Sequence, residues 1–212
     1  MKRTALLFIV VALFGVFGLA DESHHHEDLT TEQLGTVHFP VSCTASSQKA
    51  FARGVALLHS FWYEEAEKEF VHIAKDHPAC AMAHWGVAMS LWHQLWDRPN
   101  AATIKRGAAE LKKAQSLHPA TDRERDYIAA LGEFYRKKGD HDARAKAYSQ
   151  AMEGVYQRYP DDREAAAFFA LSLLASEPDN DTTFANRKKA AAVLETLFKE
   201  EPNHPGVAHL LD

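Results

Sequence analysis

Apolar residues recur along this chain in a cassette of fixed spacing. Ala66, Phe70, Ile73 and Pro78 form the first copy, and Gly107, Leu111, Ala114 and Pro119 the second. Tyr148, Met152, Val155 and Pro160 form the third, and Ala190, Leu194, Leu197 and Pro202 the fourth. Steps of four and three place the apolar positions on one helical face. The proline five residues further on cannot continue a helix, so each cassette predicts a helix that stops just before it. These prolines follow one another at 41, 41 and 42 residues. A second periodic element precedes each cassette: Gly54 with Leu57, Gly86 with Met89, Gly132 with Tyr135, and Ala170 with Leu173. The pattern predicts about four helical hairpins. A small residue at the first slot (Ala66, Gly107, Ala190) lets a neighbouring helix approach closely. Tyr148 breaks that rule, so the third unit is expected to pack differently.

Arg53, Trp85, Leu131 and Phe169 stand before the glycine or alanine of each leading helix. The third unit carries Ile128, Leu131, Gly132 and Tyr135; the first carries Ala66, Phe70 and Pro78. This combination resembles the tetratricopeptide repeat over roughly residues 47–202. The resemblance implies an all-α fold: a right-handed superhelical solenoid of antiparallel helix hairpins, about four units long. It also implies a scaffold that holds a peptide or protein partner in a groove lined by first helices. Lys49, Arg53 and Glu133 are the candidate groove residues. The chain departs from the family pattern in its loops. Gly54 to Pro78 is 24 residues, as the family repeat requires, but the later units need 33, 28 and 32. The added residues fall around Asp97-Arg98-Pro99-Asn100, Lys138-Gly139-Asp140 and Glu177-Pro178-Asp179-Asn180-Asp181. Such loops on one edge either mark a working face or merely tolerate insertion.

The two ends do not follow the repeat. Lys2 and Arg3, an apolar run from Ala5 to Leu19, and small residues at Gly18 and Ala20 read as a secretory signal peptide over residues 1–20. The run is shorter than the roughly 20 residues of a spanning helix, so no membrane span is expected to remain. The expected location is therefore periplasmic or extracellular. Residues 21–46 form a flexible lead rich in histidine and acid, of which Leu34 to Cys43 is expected to lie across the first hairpin. Residues 203–212 begin a fifth unit that leaves an apolar half-helix open, read either as truncated or as stacking on a partner. The formal charge of −5 becomes −7 without Lys2 and Arg3, and no basic stripe is present, which argues against nucleic acid as a partner.

Thirteen histidines are present, and five of them precede the first hairpin or lie in its first helix: His24, His25, His26, His38 and His59. His24, His25 and His26, flanked by acids, suit a divalent copper, nickel or zinc ion or are simply solvated. His38 and Cys43 are candidate ligands together, and His59 and His84 join them if the fold brings them near. No cofactor is required by the sequence. Cys43 and Cys80 are the only cysteines. They precede neighbouring helix starts in stacked hairpins, so they read either as a disulfide or as two buried thiols. A bridge in an oxidising compartment would contribute roughly 3–4 kcal/mol. Met82, Trp85, Met89, Trp92 and Trp96 form an apolar stripe that predicts one continuous core helix.

A narrower resemblance rests on Leu34 to Phe39, Ser42-Cys43, Ala56 to Tyr63, Cys80 to Gly86, and His204 to His209. These segments look like a group of exported bacterial tetratricopeptide-like proteins, which brings no reaction with it. The repeated histidine and cysteine positions of that group hint at metal or haem contact. The chain has no phosphate loop, no His-Glu-x-x-His, no nucleophile elbow and no Cys-x-x-Cys-His motif, so no catalytic residue is assigned and no enzyme is expected. The leading expectation is a partner-binding scaffold. The alternative is a metal-binding or haem-contacting protein of the cell envelope.

Overall fold

The computed structural model describes residues 31–211, and the proposed signal peptide and His24, His25 and His26 lie outside them. The fold is all-helical, with no strand among the described residues. A short α1 (Thr31–Leu34) leads to a 3-10 turn (Ala45–Ser47) and then to α2 (Gln48–His59) and α3 (Tyr63–Asp76). α4 (Ala81–Ser90), α5 (Ala101–Ser116), α6 (Asp122–Arg136) and α7 (His141–Arg158) follow. α8 (Arg163–Ala175), α9 (Ala185–Glu200) and α10 (Pro205–Leu211) complete the order. From α2 onward each helix packs on the next; α2 also touches α4, and α4 touches α6.

The cassettes are the buried faces of α3, α5, α7 and α9. Ala66, Phe70 and Ile73, for example, are almost wholly buried, as are Leu111, Ala114, Leu194 and Leu197. Gly107 has no room for a Cβ, which would sit 2.1 Å from the Tyr135 ring. Tyr148 instead fills its slot with an edge contact to Trp92, 5.0 Å between ring centroids. Local chemistry sets the helix starts. Thr121 and Glu124 form a reciprocal capping box on α6, and Asn100, Asp140 and Asp162 cap α5, α7 and α8.

One helix is shorter than its apolar stripe predicts. α4 stops at Ser90, and Trp92 and Trp96 sit in the loop beyond it. Trp92 remains fully buried because it stacks on Phe134 at 3.7 Å, whereas Trp96 is 59% exposed. Burial had imitated helical period here: Trp92 reaches the core from a turn, so the three–four spacing does not require a helix.

The lead crosses more than α2 and α3. The Phe39 ring touches one aromatic from each of α2, α4, α6 and α8: Phe51 at 5.3 Å, Trp85 at 5.4 Å, Tyr127 at 4.9 Å and Phe168 at 6.5 Å. The Arg123 guanidinium covers the same ring at 4.3 Å and donates to Pro40 O at 3.0 Å. Ser42 donates from N and Oγ to the buried Glu124 carboxylate at 2.6 and 2.5 Å. The face shared by these four helices is thus filled by the chain's own residues.

The terminal segment is not left open either. α10 packs on α9, α2 and α8, and Thr36 N donates to Asn203 O at 2.9 Å, joining lead and terminal segment. Cys43 and Cys80 form a disulfide, with 5.0 Å between their Cα atoms. Such a bridge fits an oxidising setting. No helix of the described residues is long and apolar enough to cross a membrane.

Candidate metal centre

Three polar side chains meet inside this apolar core. His59 is the last residue of α2, Glu164 the second residue of α8, and His204 the residue just before α10. Each is no more than 1% exposed. His59 Nε2 donates to Glu164 Oε2 at 2.8 Å, and His204 Nε2 donates to Glu164 Oε1 at 3.0 Å. The two imidazole rings lie 4.7 Å apart, and His59 packs on Phe168 at 4.6 Å.

The backbone explains the placement. The positive end of the α8 dipole favours the Glu164 carboxylate in the first helical turn. Glu164 also lies four residues before the buried Phe168, on the inward stripe of α8. Gly206 lets α10 come close: a Cβ there would lie 2.6 Å from His59 Nδ1.

Electrostatics define the resting charge. Burial pushes the Glu164 carboxyl up, but the hydrogen bonds and charges of His204 and His59 outweigh it and hold the group below its ordinary 4.5. Burial pulls His59 below its ordinary 6.5, against the pull of Glu164. The centre is therefore a carboxylate held by imidazole N–H groups, with His59 neutral at pH 7. The Nδ1 atoms of His59 and His204 are buried without a hydrogen-bond partner.

The charge states impose a pH dependence on stability. The unfolded chain takes up a proton on His59 near pH 6.5, whereas folded His59 does so only at lower pH. Stability therefore falls as pH drops below about 6.5. Glu164 adds a second loss of the same sign: its unfolded carboxyl protonates near pH 4.5, the folded one only at lower pH. Thermal unfolding of metal-free protein between pH 8 and pH 4 should show Tm declining below about 6.5 and more steeply below about 4.5. In His59→Gln the first decline should be reduced.

The other expected ligands are elsewhere. Cys43 is a disulfide sulfur and offers no thiolate, which corrects its candidacy as a ligand beside His38. His38 is exposed beside Arg123 and Arg158. His84 pairs with Glu110 at 2.7 Å. Of the candidate groove residues, Arg53 pairs with Glu69 at 2.7 Å and Glu133 with Arg136 at 2.7 Å, while Lys49 is exposed on α2. The fold thus separates His38, His59 and His84, and assembles His59 with two residues that spacing did not select. Glu164 carried one usable signal, an acid on an otherwise apolar helical stripe. His204, set between two prolines, carried none that spacing reveals.

The His59–Glu164–His204 group is the one set of at least three His, Cys, Asp or Glu among the described residues whose ligand atoms all lie within 4.8 Å of one another. Comparison with protein-family models, with curated proteins and with solved structures finds no match.

Proposed function

We propose that this chain is an envelope-exported helical protein that holds one divalent ion of the zinc or copper kind on His59, Glu164 and His204. The observation that carries this reading is a buried carboxylate facing two buried imidazoles, joined by contacts of 2.8 and 3.0 Å. Tetrahedral zinc with bonds of about 2.0–2.1 Å separates its ligands by about 3.3 Å, so an opening of a few tenths of an ångström admits the ion. An ion displaces the two Nε2 protons and leaves an N–H on each Nδ1, where no acceptor waits. Two unsatisfied donors cost about 1–3 kcal/mol each. Zinc binding in four-ligand zinc-finger peptides is worth about 10–16 kcal/mol, a scale well above this cost. All three ligands are buried and none lines a described cleft. Three protein ligands leave the fourth tetrahedral position to a water, which is the ligand count of a catalytic site. The burial of all three is what favours an ion that fastens α10 to α2 and α8.

The finer architecture belongs to the same reading. The helices are read as tetratricopeptide-like hairpins in a right-handed solenoid, supported by burial of the recurrent cassettes. Export is supported by the Cys43–Cys80 bridge. The partner-binding scaffold is the second reading. It is not supported on the first-helix face, which Phe39 and its neighbours occupy, but a polar cleft at the loop edge keeps it in play.

The test is titration of chelator-treated protein with zinc, and with cobalt as a spectroscopic probe. The expected result is one equivalent bound, tetrahedral cobalt absorption, and loss of both in His204→Ala and Glu164→Gln. Wild-type protein that binds neither ion would overturn the proposal and leave the group a purely structural lock.

A further inference from the structure

At the loop edge of the molecule two of the three inserted segments and the start of α7 meet around a cleft of about 420 Å³. The loop after α4 supplies Gln94, Trp96, Asp97 and Arg98, and the start of α7 supplies His141 and Asp142. The loop after α8 supplies Glu177, Asp179 and Asp181, with Arg187 opposite. Segments distant in sequence therefore converge here, two of them at loops that depart from the repeat.

Two wall oxygens lack donors. Glu177 Oε1 and Gln94 Oε1 are buried without a hydrogen-bond partner. The Glu177 side chain is 9% exposed and Gln94 is 5% exposed. The other Glu177 oxygen accepts from Arg187. A buried acceptor without a donor is unfavourable, so the cleft is built for a group that brings hydrogens. Five carboxylates against two guanidinium groups make the lining net negative. The exposed Trp96 indole adds a face suited to a cation. His141 is already engaged: its Nε2 accepts from Trp92 Nε1 at 3.3 Å.

We propose that this cleft binds an organic cation, an alkylammonium or guanidinium group, between Glu177, Gln94 and Trp96. A bare metal ion does not fit the same facts. Calcium requires six to eight oxygens converging at about 2.3–2.6 Å. No three acids of this cleft bring their ligand atoms within 4.8 Å of one another among the described residues. An extended donor-rich cation does not need that convergence. The site is independent of the His59–Glu164–His204 centre and goes beyond the metal reading.

Isothermal titration of the whole protein with spermidine, with a blocked Gly-Arg-Gly tripeptide and with calcium chloride tests the proposal. Saturable binding of spermidine or of the tripeptide is expected, and the tighter of the two identifies a free or a peptide-borne cation as the source. Glu177→Gln should weaken binding about ten- to hundredfold, the loss of a charge-assisted contact. Glu177→Gln also loosens Arg187, so Trp96→Ala serves as the second variant; it removes only an edge contact to Phe61 at 4.5 Å and no buried polar group, and should weaken binding in a protein that remains folded. Binding of neither organic cation, binding of calcium alone, or wild-type affinity in both variants would overturn it.

Discussion

Glu164→Ala should destabilise the metal-free protein by about 3–5 kcal/mol, the scale for removing one member of a buried polar pair. The magnitude follows from what remains. Two imidazole N–H groups, each in a residue no more than 1% exposed, lose their acceptor together, and a void is left beside Phe168. α10 should loosen first, because His204 precedes it and Glu164 is the link between it and α8. Denaturant unfolding measures the global loss, and hydrogen exchange over 203–211 measures the local one. Glu164→Gln should be milder. Its amide oxygen accepts from one histidine, and its NH₂ donates to the other once that ring changes tautomer. Wild-type stability in Glu164→Ala would mean that the carboxylate does not hold the three segments together. The pair of variants also separates two roles: Glu164→Gln retains much of the fold, so its failure to bind zinc would report on the ion and not on unfolding.

Phe39→Ala should cost about 3–5 kcal/mol, the range for truncating a fully buried aromatic. In a chain of this size that lowers Tm by roughly 10 °C. The ring is 0% exposed and touches one aromatic from each of α2, α4, α6 and α8, so its removal loosens four helices at once. The Arg123 guanidinium would lose the face it covers, though its paired bonds to Asp162 at 2.6 and 3.1 Å remain. The disulfide at Cys43 keeps the lead attached close to α4, so the expected phenotype is a released segment 35–42 on a destabilised but folded protein. Limited proteolysis of that segment distinguishes release from global unfolding. Resistance equal to wild type, with unchanged Tm, would show that Phe39 is not what holds the lead down. Release would also uncover the face where the sequence placed a partner groove, so peptide binding that appears only in Phe39→Ala would restore that groove as a regulated one.

The contrast between these two sites explains how far the sequence could be read. Periodicity located α3, α5, α7 and α9 because each buries one face against neighbouring helices, and such burial leaves a regular apolar imprint on a single element. The prolines and the Thr121–Glu124 capping box likewise act within a few residues of chain. The Cys43–Cys80 pairing was one of two open readings, and proximity in the fold decided it. The stripe through Trp92 and Trp96 misled because a buried tryptophan in a turn imitates a helical position. His59 was singled out with His38, Cys43 and His84, yet its partners are Glu164 and His204, 105 and 145 residues away.

By itself, then, the sequence determined the helices, their inward faces and most of their ends, since local sterics and apolar burial act over one to two turns. Tertiary structure alone decided three things. It placed Phe39 among four helices, brought His59, Glu164 and His204 together, and gathered two of the inserted loops around one cleft. Those outcomes depend on where whole helices pack, and no short-range pattern records the partner of a single buried polar or aromatic side chain.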